Sequence, residues 1–319
     1  MRLFKKIAII GGAGGLGSTM AFYLGLKEVA AQIALIDVRT NVLETHLVDL
    51  KEGLSQDSTT VFVGGDYRLL VGAELVIMAA ASSFEAERPV SSRSDYLKKN
   101  LEIVVKSARA VRDRAPKALV ILATAPTDVL TMVFHDFFEG DRHQLIGFCQ
   151  NDSQRFRYAL GEVLKTDPRT LTGQVLGEHG QTQVPIFSTV TKNQEKLLLT
   201  AAQKSAVASY LSDWYAHWQD QNSGRTTTWT SAVCLLRLLL ALRGEVKDTP
   251  MGSVILDGEY GLTGVALGTP ITPGPLGWSQ VVETPLDINE LKGLERSAQY
   301  IRALYAEARA EYPRYGKES

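Results

Sequence analysis

The apolar run Ile7-Ala8-Ile9-Ile10 passes without a spacer into Gly11-Gly12-Ala13-Gly14-Gly15-Leu16-Gly17, and a helical pattern starts at once. Within this run Gly12, Gly14 and Gly17 spell G-x-G-x-x-G. In such a loop Gly12 permits the tight turn, Gly14 lets the backbone approach a pyrophosphate, and Gly17 lets helix and strand pack closely. Free N–H groups and the positive end of the helix dipole then face the phosphates. A bare glycine pattern is weak evidence, but Asp37 closes the next strand 20 residues past Gly17, where a carboxylate accepts hydrogen bonds from the adenosine ribose and repels a 2′-phosphate. The expected cofactor is NAD. Gly15, Leu16, Ala80 and Thr124 complete its predicted contacts, and Arg39 works slightly against the preference for an unphosphorylated ribose.

The same residues also fit the pattern Gly11-x-x-x-Gly15-x-Gly17 of short-chain dehydrogenases. That chemistry needs a Tyr-x-x-x-Lys pair to lower a phenol pKa. The spacing from Tyr23 to Lys27 falls in the first helix beside the phosphate loop, where it cannot serve.

Short aliphatic runs alternate with helical periodicity through the first half. Strands are predicted at Lys6–Ile10, Ile33–Asp37, Thr60–Val63, Leu75–Ala80, Ala118–Leu122 and Leu145–Gly147, with helices at Leu16–Lys27, Val42–Leu50, Ser94–Arg114 and Val129–Phe138. Uniformly apolar strands separated by helices imply a parallel sheet covered on both faces. After Asn151 the rhythm changes. Helices near 152–164, 200–219, 230–242 and 289–310 surround short strands and a Gly/Pro-rich stretch, 252–278, that suggests hairpins. The expected fold is therefore α/β, a Rossmann-type doubly wound parallel sheet over residues 1–150, followed by a mixed α+β substrate domain over 151–319.

Composition excludes several classes. With 34 Lys plus Arg against 35 Asp plus Glu, the net charge of −1 argues against a nucleic-acid-binding face or a polybasic membrane surface. A 45% hydrophobic content excludes disorder. The two cysteines, Cys149 and Cys234, have neither disulfide-framework nor zinc spacing, so both read as core residues and no metal is expected. The apolar stretch Ala232–Leu242 is too short to span a bilayer and is interrupted by Arg237. A cytoplasmic protein without nucleic-acid or membrane partners is expected.

The segment Asn151-Asp152-Ser153-Gln154-Arg155-Phe156-Arg157, followed by Leu176-Gly177-Glu178-His179-Gly180, resembles the lactate/malate dehydrogenase family over essentially the whole chain. The resemblance implies hydride exchange between NAD and a 2-hydroxy or 2-oxo acid. His179 then gives or takes the proton, since an imidazole titrates near neutral pH. Asp152 matches the carboxylate that orients it, and Arg155 matches the planar fork that grips the substrate carboxylate. Arg93 matches the loop arginine that polarises the substrate carbonyl, and Thr226, after Gly224-Arg225, the polar residue lining the pocket from the second half. A homodimer or homotetramer is implied.

Three departures bear on the substrate. Where the family has Ser-Asn-Pro, the asparagine contacting the substrate oxygen, this chain has Thr124-Ala125-Pro126. The stretch from Glu74 to Arg93 is longer than the family spacing, and Ala79-Ala80-Ala81 replaces the commoner Ala-Gly. Counting back from Arg93, the position that separates malate from lactate enzymes falls on Glu87, with Arg88 or Phe84 as alternative occupants. A carboxylate there repels a dicarboxylate, so a larger or more polar acid, sugar-acid-like or amino-bearing, is expected. Two alternatives remain: malate itself, with Arg88 as the grip, and a catalytically weak NAD-binding sensor or assembly protein, suggested by Ala125.

Overall fold

The computed structural model describes residues 2–82, 93–221 and 227–316, and of residues 93–96, 215 and 219 only the backbone. The first half runs β1 (Phe4–Ile10), α1 (Gly15–Leu26), β2 (Ala30–Ile36), α2 (Thr40–Gly53), β3 (Val61–Gly65), β4 (Leu75–Met78), α3 (Arg93–Arg114), β5 (Leu119–Leu122), α4 (Thr127–Phe138) and β6 (Leu145–Gly147). These strands pair in parallel in the order β3-β2-β1-β4-β5-β6. That is the Rossmann order, whose reversal between β1 and β4 opens a crevice at the carboxyl ends of the strands. β4, β5 and β6 are buried at every residue, which is why they read as unbroken apolar runs rather than alternating ones. Burial of each Ile or Leu in this layer is worth about 1.5–3 kcal/mol.

The second half begins with α5 (Gln150–Leu164), then the short strands β7 (Leu171–Thr172), β8 (Val175–Leu176), β9 (Val184–Pro185), β10 (Thr191–Lys192) and β11 (Glu195–Lys196). Helices α6 (Ala201–Asp220) and α7 (Trp229–Leu242), strands β12 (Met251–Asp257), β13 (Thr263–Gly274) and β14 (Gly277–Val281), and the long α8 (Ile288–Ala310) complete it. The predicted hairpins form, and they do more than fold on themselves. β12 pairs antiparallel with β6 through Ser253 and Gly147, so β12, β13 and β14 extend the nucleotide-type sheet to nine strands. Closeness at this seam is enforced by Gly147, where a Cβ would lie 2.6 Å from Thr131 Oγ1 and 2.8 Å from Ser253 Cβ. Among the described residues two clusters of buried apolar side chains result. The larger covers both faces of the sheet, and a smaller one, built on Phe156, Leu160 and Val207, lies under α5 and α6.

Helix bounds agree with the sequence pattern to within a few residues. α8 shows why its start was legible: Asp287 caps it by accepting from Asn289 N and Glu290 N, while Glu290 reaches back to the cap N–H. Among the described residues no helix is long and apolar enough to cross a membrane.

Candidate active site

The glycine loop sits at the β1/β4 switch point. The tight turn expected at Gly12 takes its positive φ one residue earlier, at Gly11 (φ 90°). The turn has to occur there because Gly11 lies against the backbone of Ala79 and Ala80 beyond β4, leaving no room for a side chain. Gly12 is constrained differently, since a Cβ on it would lie 2.6 Å from Leu35 Cβ. A Cβ on Gly17 would collide with Gly11 O, so helix and loop touch backbone to backbone. At Gly14 the nearest atoms to a Cβ would be Gly11 O at 3.2 Å and the mobile end of Arg39 at 3.8 Å. One side of that residue is thus open where a pyrophosphate would pass, and the loop fits a dinucleotide.

Asp37 follows β2 and fastens it to the loop, one carboxylate oxygen accepting from Ala13 N at 3.0 Å and the other from Arg39 N at 3.0 Å. Burial alone would raise this carboxyl, but the bonds from Arg39 and Ala13 outweigh it and leave it below its ordinary value. It is therefore an ionised acceptor at neutral pH, as ribose binding requires. Arg39 folds back onto the same carboxylate, with Nε 3.3 Å from Oδ1. Thr124 Oγ1 donates to Ala80 O at 2.7 Å, joining the chain beyond β5 to that beyond β4. Leu16 packs against the main core, and a Cβ on Gly15 would meet Thr228 Cγ2, just before α7, at 3.7 Å.

The second cluster is made of side chains. α5 leaves β6 after a short turn, with Asp152 in its first helical turn, where the dipole favours a carboxylate. Asp152 Oδ2 is 2.6 Å from His179 Nδ1, and Asp152 Oδ1 accepts from Arg155 Nη1 at 3.2 Å. A carboxylate on Nδ1 fixes the tautomer and orientation of the ring. Arg155 lies one turn along the same helix face. Its guanidinium carbon is 3.8 Å from the centre of the Trp214 ring on α6, which stacks in turn on Trp218 at 5.4 Å. Burial lowers the pKa of Arg155, yet a guanidinium stays charged in proteins, and its remaining donors suit a carboxylate.

His179 is held by its backbone as well. Gly177 exchanges two hydrogen bonds with Gly268 of β13 at a φ of 89°, and Glu178 N donates to Ser297 Oγ of α8. His179 N donates to Asp128 Oδ2 at 2.9 Å, and Ser253 Oγ donates to Asp128 Oδ1 at 2.6 Å. Asp128 is fully buried, and burial pushes its pKa up to about 6 against the pull of Ser253 and the nearby His179. The sequence reading missed Asp128. Its sign was an acid two residues after Pro126, at the start of a helix with almost no exposed face.

His179, Asp152 and Arg155 thus meet in one place, and Gly11–Gly17, Asp37, Ala80 and Thr124 in another. The segment Thr124–Asp128 runs between them. Glu87, Arg88, Phe84 and Thr226 lie outside the described residues, as does the side chain of Arg93, whose backbone opens α3. Ala125 offers no side-chain donor. Instead Asn100 Nδ2 donates to Ala125 O and Asn100 Oδ1 accepts from Ser82 N, both at 2.8 Å. Among the described residues no group of His, Cys, Asp and Glu has a metal-binding arrangement.

Comparison with known proteins agrees with this geometry. The profile of the lactate/malate dehydrogenase NAD binding domain matches residues 5–147, and that of the lactate/malate dehydrogenase alpha/beta C-terminal domain matches 150–311. The malate dehydrogenase of Halobacterium salinarum is 29% identical over 305 residues, 95% of this chain and 99% of that one. The L-lactate dehydrogenase of Oceanobacillus iheyensis is 28% identical over 311 residues, 94% of this chain and 95% of that one. The crystal structure of Cryptosporidium parvum malate dehydrogenase superposes with a TM-score of 0.89 at 26% identity, covering 97% of this chain and all of the other. With NAD as its cofactor, this chain belongs to the lactate/malate dehydrogenase family of NAD-dependent 2-hydroxy acid dehydrogenases.

Proposed function

We propose that the chain interconverts a 2-oxo acid and its 2-hydroxy acid whose tail is larger or more polar than that of lactate or malate. The observation that carries the reaction is the His179–Asp152–Arg155 cluster, which supplies a proton carrier, its orienting carboxylate and a carboxylate grip within one turn of helix and one loop. Bound NADH supplies the hydride. Arg155 holds the substrate carboxylate, Arg93 polarises the C2 carbonyl, and Thr226 lines the far wall. As hydride adds to C2, the C=O π pair moves to oxygen, which takes the proton from His179 Nε2, and Asp152 stabilises the imidazolium before that transfer. Residues 1–150 carry the cofactor and 151–319 the proton chemistry.

The substrate tail rests on Ala125, on Glu87 and on the lengthened stretch before Arg93. Malate as substrate, with Arg88 as the second grip, is favoured by the malate dehydrogenases among the relatives. Two cysteines, both buried and free, suit a cytoplasmic setting, and a homodimer or homotetramer is the expected state.

The test is NADH oxidation with 2-oxo acids bearing neutral, acidic, basic and polyhydroxylated tails. The expected result is highest kcat/KM for a polar acid larger than oxaloacetate. Oxaloacetate leading the panel overturns the substrate assignment in favour of malate. NADH binding without turnover of any acid overturns the reaction and leaves the sensor.

A further inference from the structure

Four consecutive polar residues at the start of α5, Gln150, Asn151, Asp152 and Ser153, are all at least nine-tenths buried. Three are committed. Gln150 Oε1 accepts from Met251 N at 2.7 Å, Asp152 holds His179 and Arg155, and Ser153 Oγ accepts from Val175 N at 3.0 Å. The fourth is Asn151, 3% exposed, whose Oδ1 meets no hydrogen-bond partner among the described residues. Burying a carbonyl oxygen without a partner carries the full cost of its desolvation. A site that keeps such a group next to its chemistry has a use for it.

Its position gives the use. Asn151 precedes Asp152 and lies four residues before Arg155, so on α5 it shares the face of the carboxylate grip, one turn nearer the sheet. β5 and β6 are parallel neighbours with Leu122 opposite Gly147, and Phe148 N donates to Leu122 O at 2.7 Å. The segments Thr124–Ala125–Pro126 and Cys149–Gln150–Asn151 therefore leave the sheet side by side at its carboxyl edge. The first lacks a side-chain amide, and the second carries one whose oxygen is uncommitted.

We propose that Asn151 contacts the substrate's C2 oxygen, supplying from the end of β6 the amide that Ala125 lacks at the end of β5. A 2-oxo acid presents an acceptor at C2 and a 2-hydroxy acid a donor. A side-chain amide carries both complements without changing charge. The assignment rests on the dehydrogenase reading above.

The test compares wild type, Asn151→Leu, Asn151→Ala and the double variant Asn151→Leu/Ala125→Asn by three measurements: kcat/KM on the best acid of the panel, oxamate binding to the NADH complex by fluorescence, and thermal unfolding. Leucine keeps the branching of asparagine without its polar atoms, and losing one hydrogen bond to a developing oxyanion costs about 100-fold or more. Expected for both single variants is that loss in kcat/KM and at least about tenfold weaker oxamate binding, with NADH affinity unchanged, and for Asn151→Leu a Tm equal to wild type or higher. The double variant should recover at least about tenfold of the activity. A purely structural Asn151 would instead lower the Tm of Asn151→Leu and give no rescue by Ala125→Asn, which overturns the proposal. Either single variant working within about threefold of wild type overturns it as well. Wild type that binds NADH but neither turns over nor binds any acid overturns the dehydrogenase reading and this assignment together. Wild type active with Asn151→Leu unaffected overturns the assignment alone.

Discussion

The two functional clusters are made of different material. At the glycine loop the backbone does the work: Gly11 touches Ala80, Gly17 touches Gly11, and the Asp37 side chain is spent partly on fastening the loop. At α5 and His179 the work is done by ionisable side chains from separate parts of the chain, aligned by Asp128, Ser253 and Ser297. A site of backbone fails by steric overlap, whereas a site of side chains fails by the loss of individual charges and hydrogen bonds.

The largest expected effect lies in the second cluster. Replacing His179 by Gln removes the proton carrier while keeping an amide of similar reach, and should lower kcat/KM by about 10³–10⁴-fold. NADH affinity, measured by fluorescence titration, should stay within about twofold of wild type, since loss of a transition-state contact leaves cofactor binding alone. A parallel collapse of NADH binding would show that the two clusters are not separable. Gly17→Ala probes the opposite cluster. Its Cβ must displace Gly11 O, and overpacking of this kind costs about 1–3 kcal/mol, so NADH should bind about tenfold more weakly and the Tm fall by several degrees, while the pH profile of the surviving activity stays unchanged. A shifted profile would mean that the loop geometry reaches His179.

The third effect, confined to a pH window, concerns Asp128, which stands between the clusters. Its folded pKa of about 6 lies above the ordinary 3.8, so the native state binds this proton more tightly than the unfolded chain. The stabilisation this brings is complete below the unfolded pKa and is lost as pH rises through about 6. Asp128→Asn keeps an oxygen for His179 N and cannot ionise. Its stability relative to wild type should therefore improve between pH 4 and pH 7, by at most about 3 kcal/mol, as read from denaturant midpoints at fixed pH values. A difference independent of pH would mean that Asp128 is not the buried titrating acid.

Much of this was legible in the sequence because it is local. The βα alternation, the glycine spacing, Asp37 and the His179 motif each announce themselves within a short window. Gly12 was assigned the turn because spacing alone does not say which of two adjacent glycines adopts positive φ, and contact with Ala80 decides that. The pairing of β12 with β6 was invisible for another reason: it joins residues 106 apart, Gly147 and Ser253, neither of which marks an interface by type. Asp128 and Asn151 looked like ordinary polar residues at helix starts, and only burial separates them from the many that face water.

The seam at Gly147 and Ser253 has a practical consequence. Although the two family profiles meet between residues 147 and 150, a protein cut there would not yield two sound pieces. The first would end on an uncovered edge strand, the usual template for aggregation, and the second would carry a hairpin without the sheet it leans on. For protein engineering this means that cofactor modules cannot be swapped at the boundary the motifs suggest. A viable graft has to carry β12, β13 and β14 with the nucleotide half.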